Sequence, residues 1–512
     1  MSAKNVLLIV VDQWRGDTLP MLGHELIQTP NVAALAAEGV TFARHYTQTV
    51  PCGPARVSLH TGRYMMNHRS VQNGVPLAAG HTNLALEARR LGYDPVLVGY
   101  SSTTPDPRGR SADDPAFKAM SSLLDGWRSV GAWGPLKEAY FGWVAAHGYD
   151  LPDNPSDIWL PETVGEDDIG ATGQPSRIPA ELTDTAFFTE KALEFLKAPR
   201  KGPWFLHLGY FRPHPPFSAP APFNAMYRPE DCPPPLRAPS KAAEGTQHPL
   251  LDYYIGHETR SHFFENGQGL VSDMPEAEVQ QARASYYGLI SEIDQQLGRV
   301  FDFLKETGQW EDTLIVFTGD HGEQLGDHHL MGKLGYFDQS YHIPLVIRDP
   351  RPEADATRGT LVGKFTEIVD IMPTVLDWVD APVPRACDGY SLLDFLHRQE
   401  GPAAWRTEVH YEYDFRNTPY ARPEEALGLA MDDCSLAVVQ DEHYKYVHFA
   451  ALPPLFFDLR EDPGQFHNCA EDPAYAGRML TYARKMLDWR LRYADRTITG
   501  YMGTSAGLVV RP

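Results

Sequence analysis

The sequence has few cysteines, a shortage of positive charge and no long hydrophobic run. Its 512 residues include 5 cysteines, and 45 lysines and arginines stand against 67 aspartates and glutamates, a formal net charge of −22. Such a chain lacks the basic surface that nonspecific binding to nucleic acid or to an anionic membrane requires, so we expect neither partner. An anionic substrate must therefore be bound by a local positive centre.

The cysteines and the early apolar segment exclude several further classes of protein. The cysteines are odd in number, widely separated and without paired spacing, which excludes a disulfide framework and a cysteine-rich zinc site. They are Cys52, Cys232, Cys387, Cys434 and Cys469. The apolar run at residues 6–11 is too short for a signal-peptide core or a membrane-spanning helix. We therefore expect a cytoplasmic protein with reduced thiols.

Short apolar runs alternate with segments of helical periodicity. Hydrophobic residues make up 43% of the chain, which is enough for a large core. The alternation predicts an α/β fold in which a mixed, mostly parallel central sheet lies between layers of helices. Apolar side chains between residues 275 and 307 follow one helix face and predict a long packing helix. The predicted strands are residues 5–11, 94–100, 204–208, 313–318 and 344–347.

The pattern changes after residue 380. Four strand-like pieces are followed by one helix-like segment, which predicts a smaller α+β subdomain with an antiparallel sheet. We expect an N-terminal catalytic domain of residues 1–380 and a C-terminal subdomain of residues 381–512, whose tail reaches a neighbouring subunit. The strand-like pieces are residues 408–413, 435–439, 444–449 and 455–459, and the helix-like segment is residues 475–493.

Polar residues follow three of the predicted strands. Asp12 and Gln13 come after the first strand, residues 100–103 after the second, and Asp320 and His321 after residue 318. Ligands of open parallel sheets bind beyond the carboxyl ends of the strands, and carboxylates with an imidazole suit a divalent cation. Taken singly, Asp12 is equally well interpreted as a helix cap, and Asp320 with His321 as a solvated turn.

Residues 50–56, Val-Pro-Cys-Gly-Pro-Ala-Arg, place Cys52 at a turn before a helix-like stretch at residues 55–61. A helix N-terminus favours negative charge, whereas a free cysteine is more often a small buried hydrophobe. The C-x-P-x-R spacing, followed by Thr61-Gly62-Arg63, resembles the sulfatase signature. In that family the cysteine is oxidised to formylglycine, and the arginine four residues later, here Arg56, supports it.

Further sulfatase motifs follow in order along nearly the whole chain. They are Asp-His-Gly-Glu at 320–323, Leu-Gly-Asp-His at 325–328 with Lys333, His-Ile-Pro-Leu at 342–345, Asp-Ile-Met-Pro-Thr at 370–374, and Phe-Phe-Asp-Leu at 456–459 with Asp462-Pro463 and Asn468. The resemblance implies an alkaline-phosphatase-like fold.

Within this superfamily the chain is most similar to phosphonate monoester hydrolases. Typical sulfatases carry Asp-Asp where this chain has Asp12-Gln13, so a neutral amide replaces one anionic group. The segments that carry the similarity are residues 11–15 (Val-Asp-Gln-Trp-Arg), 50–56, 209–216 (Gly-Tyr-Phe-Arg-Pro-His-Pro-Pro) and 448–457 (His-Phe-Ala-Ala-Leu-Pro-Pro-Leu-Phe-Phe).

The resemblance implies a divalent metal ion, a formylglycine nucleophile and a set of assisting residues. Mn²⁺ is the expected ion, with Ca²⁺, Mg²⁺ and Zn²⁺ as alternatives. The metal ligands are Asp12, the modified Cys52, Asp320 and His321. The hydrated aldehyde attacks phosphorus or sulfur and expels the leaving group, which gives a covalent ester on residue 52. This intermediate breaks when the second diol hydroxyl loses its proton, the C–O bond cleaves and the aldehyde re-forms. Arg56, His214 and Lys333 are the other catalytic residues, and Gln13, Asn73, Tyr100 and Ser102 are substrate-binding.

Several of these roles have a plainer alternative. His214 lies among prolines and is equally well interpreted as a structural loop residue. Lys333 can extend along the surface with its charge in solvent. The hydroxyls and amide of Asn73, Tyr100 and Ser102 can simply satisfy backbone groups at strand ends.

The motifs together predict a metal-dependent hydrolase of phosphonate monoesters and phosphodiesters that also acts on sulfate esters. A dedicated arylsulfatase is the alternative among enzymes, and a metal-binding oligomeric scaffold is the alternative among non-enzymes. The expected partners are a small anionic ester, an enzyme that generates formylglycine, and further copies of the chain in a homotetramer.

Overall fold

A computed structural model describes residues 4–99, 101–111, 113–114, 117, 123–132, 137–161, 170–416 and 422–510. Its strands are β1 (Asn5–Val11), β2 (Val40–Tyr46), β3 (Thr49–Val50), β4 (Val96–Gly99), β5 (Arg128–Ala132), β6 (Phe205–Tyr210), β7 (Thr313–Gly319), β8 (Leu345–Arg348), β9 (Thr360–Glu367), β10 (Val409–Asp414), β11 (Ser435–Gln440), β12 (Tyr444–Phe449), β13 (Leu455–Asp458), β14 (Tyr501–Thr504) and β15 (Gly507–Val510).

Helices flank these strands and are joined to them by loops and short 3-10 turns. They are α1 (Pro30–Ala37), α2 (Cys52–Thr61), α3 (Met65–His68), α4 (Leu84–Arg90), α5 (Lys137–Ala146), α6 (Asp184–Lys197), α7 (Lys241–Gly245), α8 (Pro249–His257), α9 (Glu276–Glu306), α10 (Asp338–Tyr341), α11 (Ile371–Trp378), α12 (Leu393–His397), α13 (Pro423–Leu427) and α14 (Ala476–Arg492).

Eight strands form the central sheet in the order β5-β4-β6-β1-β7-β8-β2-β9. The neighbours from β5 through β7 pair in parallel, as do β2 and β9. Strand β8 runs antiparallel to both of its neighbours, β7 and β2. The mixed, mostly parallel sheet predicted from the sequence is confirmed.

Strand β1 is buried on both faces, which explains its unbroken apolar sequence. Leu7, Ile9 and Val11 belong to one hydrophobic core, and the alternate side chains Val6, Leu8 and Val10 belong to the core on the opposite face. The predicted apolar stripe of α9 packs in the first core, whereas α11 packs in the second. Helices therefore cover both faces of the sheet.

A second sheet of five strands has the order β13-β12-β11-β10-β3. Strands β10 to β13 are antiparallel, as the sequence predicts, and α14 contributes Tyr482, Met486 and Trp489 to the core beside this sheet. The fifth strand, β3, comes from the N-terminal part of the chain and pairs in parallel with β10, Thr49 opposite Glu412. The C-terminal sheet thus extends to a segment that lies two residues before Cys52.

Some elements differ from the sequence predictions. Strands β2 and β9 were not predicted, because Arg44 and His45 interrupt the apolar run of β2 and because β9 is an edge strand with partly exposed side chains. Strand β5 and the exposed hairpin of β14 and β15 were also not predicted. None of the helices in the described ranges combines the length and the apolar character that a bilayer crossing requires.

Candidate active site

The polar segments predicted from the strand ends lie at one edge of the central sheet. Strands β4, β6, β1 and β7 are parallel neighbours, so their carboxyl ends coincide there. Val11 is opposite both Tyr210 and Gly319 in the register, and the Asp12 backbone N–H donates to Tyr210 O at 3.0 Å. This edge is where open α/β sheets place their ligands.

Helix α2 delivers Cys52 to this edge. The helix begins at Cys52, three residues earlier than the sequence predicted, because Pro54 falls in its first turn, where a missing N–H is tolerated. A Cβ atom on Gly53 would lie 2.7 Å from Ser102 O and 2.9 Å from Asn73 Oδ1, so this position requires glycine. The close approach brings the start of α2 against the loops that carry Asn73 and Ser102.

Four side chains converge into a buried cluster of possible metal ligands: Asp12, Cys52, Asp320 and His321. Their donor atoms all lie within 4.8 Å of one another. His321 Nε2 lies 3.1 Å from Cys52 Sγ, 3.6 Å from Asp12 Oδ1 and 3.7 Å from Asp320 Oδ1. The four residues that the sequence predicts as ligands are therefore brought together in space.

The His321 ring is held in a form that can bind a cation. Its Nδ1 donates to Gly322 O at 3.0 Å, which leaves the Nε2 lone pair facing the cluster. Burial lowers the pKa of His321 to about 3, so the imidazole is neutral at pH 7. Metal-bound histidines commonly use the second ring nitrogen in this way to fix the ring orientation.

Arg56 cross-links the two carboxylates from behind. Its Nε donates to Asp320 Oδ2 at 2.8 Å and its Nη2 to Asp12 Oδ2 at 3.2 Å, with all three side chains fully buried. The remaining oxygens, Oδ1 of each aspartate, face the cluster. Arg56 therefore orients the two carboxylates through hydrogen bonds to their outer oxygens.

The ionisable groups of the cluster differ in pKa. Burial raises the pKa of Asp12 to about 7, with the nearby Asp320 carboxylate adding to the rise. Burial also opposes the charge of Asp320, but His321 and Arg56 outweigh it and lower its pKa to about 2. Burial raises the pKa of the Cys52 thiol to about 12. Two carboxylates, one neutral imidazole and a fourth donor position fit a divalent cation.

Lys333 lies beside this cluster and is held by Gln13. Lys333 Nζ donates to Gln13 Oε1 at 2.6 Å, and Gln13 Nε2 donates to Glu323. Burial opposes the lysine charge, but Cys52, Asp12, Asp320 and Glu323 raise its pKa overall. The Gln13 amide thus bridges a cation and a carboxylate, and its backbone N–H donates to Asp320 at 3.0 Å.

His214 lies in the loop that follows β6. The residue is half-buried, its Nδ1 donates to Pro215 O at 3.0 Å, and its ring centroid is 4.5 Å from that of Phe211. Burial lowers the pKa of His214 well below its usual value, and Lys333 adds to the decrease. Lys333 is thus near enough to His214 to disfavour a second positive charge on the ring.

Two of the other predicted substrate-binding residues, Asn73 and Ser102, lie in loops that contact the start of α2. Asn73 Oδ1 accepts from the Gly53 N–H at 2.7 Å, directly beside Cys52. Ser102 has a left-handed backbone, with φ of 51°, and its buried Oγ has no hydrogen-bond partner in the described part of the chain. Tyr100 lies outside the described residues.

Two residues of the site were not predicted from the sequence. Glu323 is fully buried and accepts from Leu325 N at 2.9 Å and from Gly332 N, so it fixes the loop that leads to Lys333. Tyr286 of α9 donates to Gln13 O at 2.7 Å. Glu323 stands in the Asp-His-Gly-Glu motif, which was a usable signal. Tyr286 lies in a helix that the sequence marks only as core packing.

Comparisons with known proteins agree with this geometry. Residues 4–381 match the family described as Sulfatase, and residues 326–491 match the C-terminal family described as N-sulphoglucosamine sulphohydrolase. The chain is 56% identical over 517 residues to the multifunctional alkaline phosphatase superfamily protein PehA of Trinickia caryophylli, and 100% of both chains is covered.

Two solved structures superimpose over almost the whole chain. Phosphonate monoester hydrolase of Agrobacterium radiobacter has a TM-score of 0.94 and 42% identity, covering 99% of this chain and 100% of its own. Phosphonate monoester hydrolase from Silicibacter pomeroyi has a TM-score of 0.92 and 38% identity, covering 99% of each chain. The alkaline-phosphatase-like fold expected from the sequence is confirmed.

Proposed function

The chain belongs to the sulfatase family, and we propose that this hydrolase cleaves phosphonate monoesters and phosphodiesters and acts more slowly on sulfate esters. The observation that carries the proposal is the buried cluster of Asp12, Cys52, Asp320 and His321, with Lys333 beside it. The similarity to two phosphonate monoester hydrolases favours phosphorus over sulfur as the preferred reacting atom.

We propose that Cys52 is oxidised to formylglycine by a maturation enzyme. The unmodified thiol is a poor candidate for the nucleophile, because a pKa raised to about 12 leaves almost no thiolate at neutral pH. The hydrated aldehyde of formylglycine would supply a hydroxyl nucleophile at the start of α2, where the helix dipole favours negative charge.

The donor set would hold one divalent cation, for which Mn²⁺ is the proposed occupant and Ca²⁺, Mg²⁺ and Zn²⁺ are alternatives. A cation bound there would lower the pKa of the nucleophilic hydroxyl and offset charge on the reacting ester. Asp12, Asp320 and His321 would bind it together with residue 52. Arg56 keeps the two aspartates aligned, so it acts on the site through them.

Lys333 supplies the positive charge that an acidic protein must offer to an anionic ester. Its ammonium group stays protonated and is oriented by the Gln13 amide. Because Gln13 is neutral where typical sulfatases carry an aspartate, the pocket has one negative charge fewer. Asn73 and Ser102 stand beside the nucleophile as further hydrogen-bonding groups.

We assign the protonation of the leaving group to His214. Since Nδ1 donates to Pro215 O, the neutral ring has no proton on Nε2, and only the imidazolium can act as an acid there. A bound anionic ester raises the pKa of the ring and favours this form. The proton then passes from Nε2 to the departing oxygen as its bond to phosphorus breaks.

A comparison of three esters with the same nitrophenol leaving group tests the proposal. A phosphonate monoester, a phosphodiester and a sulfate ester are assayed with protein whose formylglycine and metal contents are measured. We expect kcat/KM to be highest for the phosphorus esters. A sulfate ester hydrolysed at least about tenfold faster, which is 1.4 kcal/mol, favours the dedicated arylsulfatase. Loaded protein that hydrolyses none of them supports the metal-binding scaffold.

A further inference from the structure

Arg212 is a buried arginine in the His214 loop that takes no direct part in the chemistry described above. It lies two residues after β6 and is 2% exposed. A single nitrogen, Nη1, donates to His214 O at 3.0 Å and to Pro216 O at 2.9 Å. One guanidinium thus binds the carbonyls on either side of Pro215.

The carbonyl between these two has a different partner. Pro215 O accepts from His214 Nδ1 at 3.0 Å. With the flanking carbonyls fixed by Arg212, the Pro215 carbonyl is presented to the imidazole. This hydrogen bond determines which ring nitrogen carries the proton in neutral His214, and it leaves Nε2 for the leaving group.

The guanidinium is itself anchored to the first turn of α6. Its Nε donates to Asp184 Oδ1 at 3.3 Å, and the side chains of Arg212 and Asp184 are 3% and 1% exposed. Its central carbon also lies 5.5 Å from the Trp159 ring centroid. A buried ion pair restricts both partners. The pair with Asp184 therefore also holds Arg212 Nη1 in position for its hydrogen bonds to His214 O and Pro216 O.

We propose that Arg212, paired with Asp184, is a positioning residue that fixes the tautomer and orientation of His214 through the carbonyls of its loop. This inference rests on the proposed role of His214 as the acid for the leaving group. Arg212 does not contact the substrate, so its loss affects the protonation of the leaving group more than the attack of the nucleophile.

The first test measures the ring directly. In protein labelled with ¹⁵N-histidine, the His214 signals are identified by their loss in His214→Ala. We expect wild-type protein at neutral pH to show Nδ1 protonated and Nε2 bare. In Arg212→Met and Asp184→Asn we expect a mixture of the two neutral tautomers. Spectra identical to wild type in both variants would overturn the inference.

The second test uses two phosphonate monoesters that differ only in the leaving group, a nitrophenol and a simple alcohol. Loss of a positioned acid costs about 10² to 10⁴ in rate, so partial misplacement by Arg212→Lys should cost the alkyl ester about tenfold. The nitrophenyl ester should lose less than about threefold, because its leaving group needs little protonation. Equal losses for both esters would contradict the inference.

A double-mutant cycle shows whether the effect passes through His214. In a His214→Ala background, Arg212→Lys should change alkyl-ester turnover by less than about twofold, since coupled residues are not additive. A full additional loss would place Arg212 outside the His214 pathway. If the spectra change as expected but His214→Ala slows both esters equally, the acid role of His214 fails while the positioning by Arg212 stands.

Arg348 supplies a matched control. It is 2% exposed, its Nε donates to Glu38 at 3.0 Å, and its Nη1 donates to Trp310 O at 2.8 Å. Its position at the end of β8, opposite Ile315, is remote from the site edge at Gly319. Arg348→Lys should therefore cause a similar loss of stability without a change in tautomer or in the ratio of the two esters. A change in the tautomer or in the ester ratio would show that the effects of the Arg212 variants come from a general loss of stability and not from the His214 loop.

Discussion

Cys52 is the residue on which every proposed activity depends. We expect Cys52→Ala to lower phosphonate monoesterase, phosphodiesterase and sulfatase rates together by about 10³ or more, because only binding and electrostatic stabilisation remain. An aldehyde-reactive probe should label the wild type and miss this variant. Cys232, which is 3% exposed and also has a pKa raised by burial to about 12, offers the control Cys232→Ala. Full activity with an unmodified thiol, or survival of one activity, would contradict a single nucleophile.

The carboxylate and imidazole ligands lead to a prediction that does not depend on turnover alone. Asp320→Asn and His321→Ala should each lose bound metal, as measured by elemental analysis, in parallel with activity, because a site with so few protein ligands cannot lose one. Asp349 is a buried aspartate that pairs with Arg351 at 2.7 Å, and Asp349→Asn should retain the metal. Stoichiometric metal in Asp320→Asn would make the ligand assignment wrong.

Asp12 makes cation binding sensitive to pH. Its pKa in the metal-free protein is raised to about 7 by burial and by Asp320, whereas His321 is already neutral. Protons therefore compete with the metal as the pH falls through this value, and affinity should decrease by up to about tenfold per unit between about pH 7 and pH 6. Above pH 7 it should level off. Calorimetric titration that shows constant affinity across this range would contradict the prediction.

At the level of helices and strands, α9 contributes stability and not chemistry through most of its length. Ile293 is 0% exposed and lies in the core that also contains Leu7, Ile9 and Val11. Ile293→Ala should therefore lower the free energy of unfolding by about 2 to 5 kcal/mol. The denaturant midpoint should fall while kcat stays near wild type. Leu361, which is 55% exposed on β9, provides Leu361→Ala as the control, with an expected change within about 0.5 kcal/mol. Equal shifts would show that α9 is not part of the main core.

The sequence predicts the fully buried strands of the central sheet well and the strands that carry exposed or charged residues less well. Strand β1 is buried on both faces and is apolar from Val6 to Val11, so its pattern is unambiguous. Strand β2 carries Arg44 and His45 because it tolerates polar groups that have partners, such as Thr366 beside His45 at 2.9 Å. Its pairing to β9 and β8 is decided by tertiary contacts, which local patterns do not record.

The candidate site also has some features that the sequence predicts and others that depend on tertiary packing. The positions at strand ends mark Asp12, Asp320 and His321 only as candidates, and the resemblance to sulfatases is what predicts them as metal ligands. The sequence does not reveal that Arg56 binds the outer carboxylate oxygens, because that depends on how α2 packs against two strand ends. Likewise, the hydrogen bond from the Tyr286 hydroxyl to Gln13 O joins residues that are 273 positions apart in the sequence, so local patterns do not predict it.

For the whole molecule, we propose that the exposed C-terminal hairpin is a surface through which copies of the chain associate into the expected homotetramer. Leu508 and Val510 are 70% and 66% exposed on β15, and Leu487 and Leu491 on α14 are 62% and 78% exposed. Apolar patches of this kind commonly mark protein interfaces. Leu508→Asp with Val510→Asp should reduce the mass measured by light scattering and leave kcat/KM per chain within about threefold.

Leu91, which is 42% exposed after α4, gives the control variant Leu91→Asp. Its mass should remain that of the wild type. A wild-type chain that is monomeric at micromolar concentration, or a charged hairpin that assembles normally, would contradict the proposed association.

The pairing of β3 with β10 also imposes an order of events on biosynthesis. The thiol of Cys52 is 1% exposed once the chain has folded, two residues beyond a strand whose partner is made about 360 residues later. At about 5 to 20 residues per second, a ribosome needs roughly 20 to 70 seconds to reach that partner. An oxidising enzyme of the proposed kind therefore has access during translation, and fast synthesis in a foreign host would leave a larger share of the protein permanently immature.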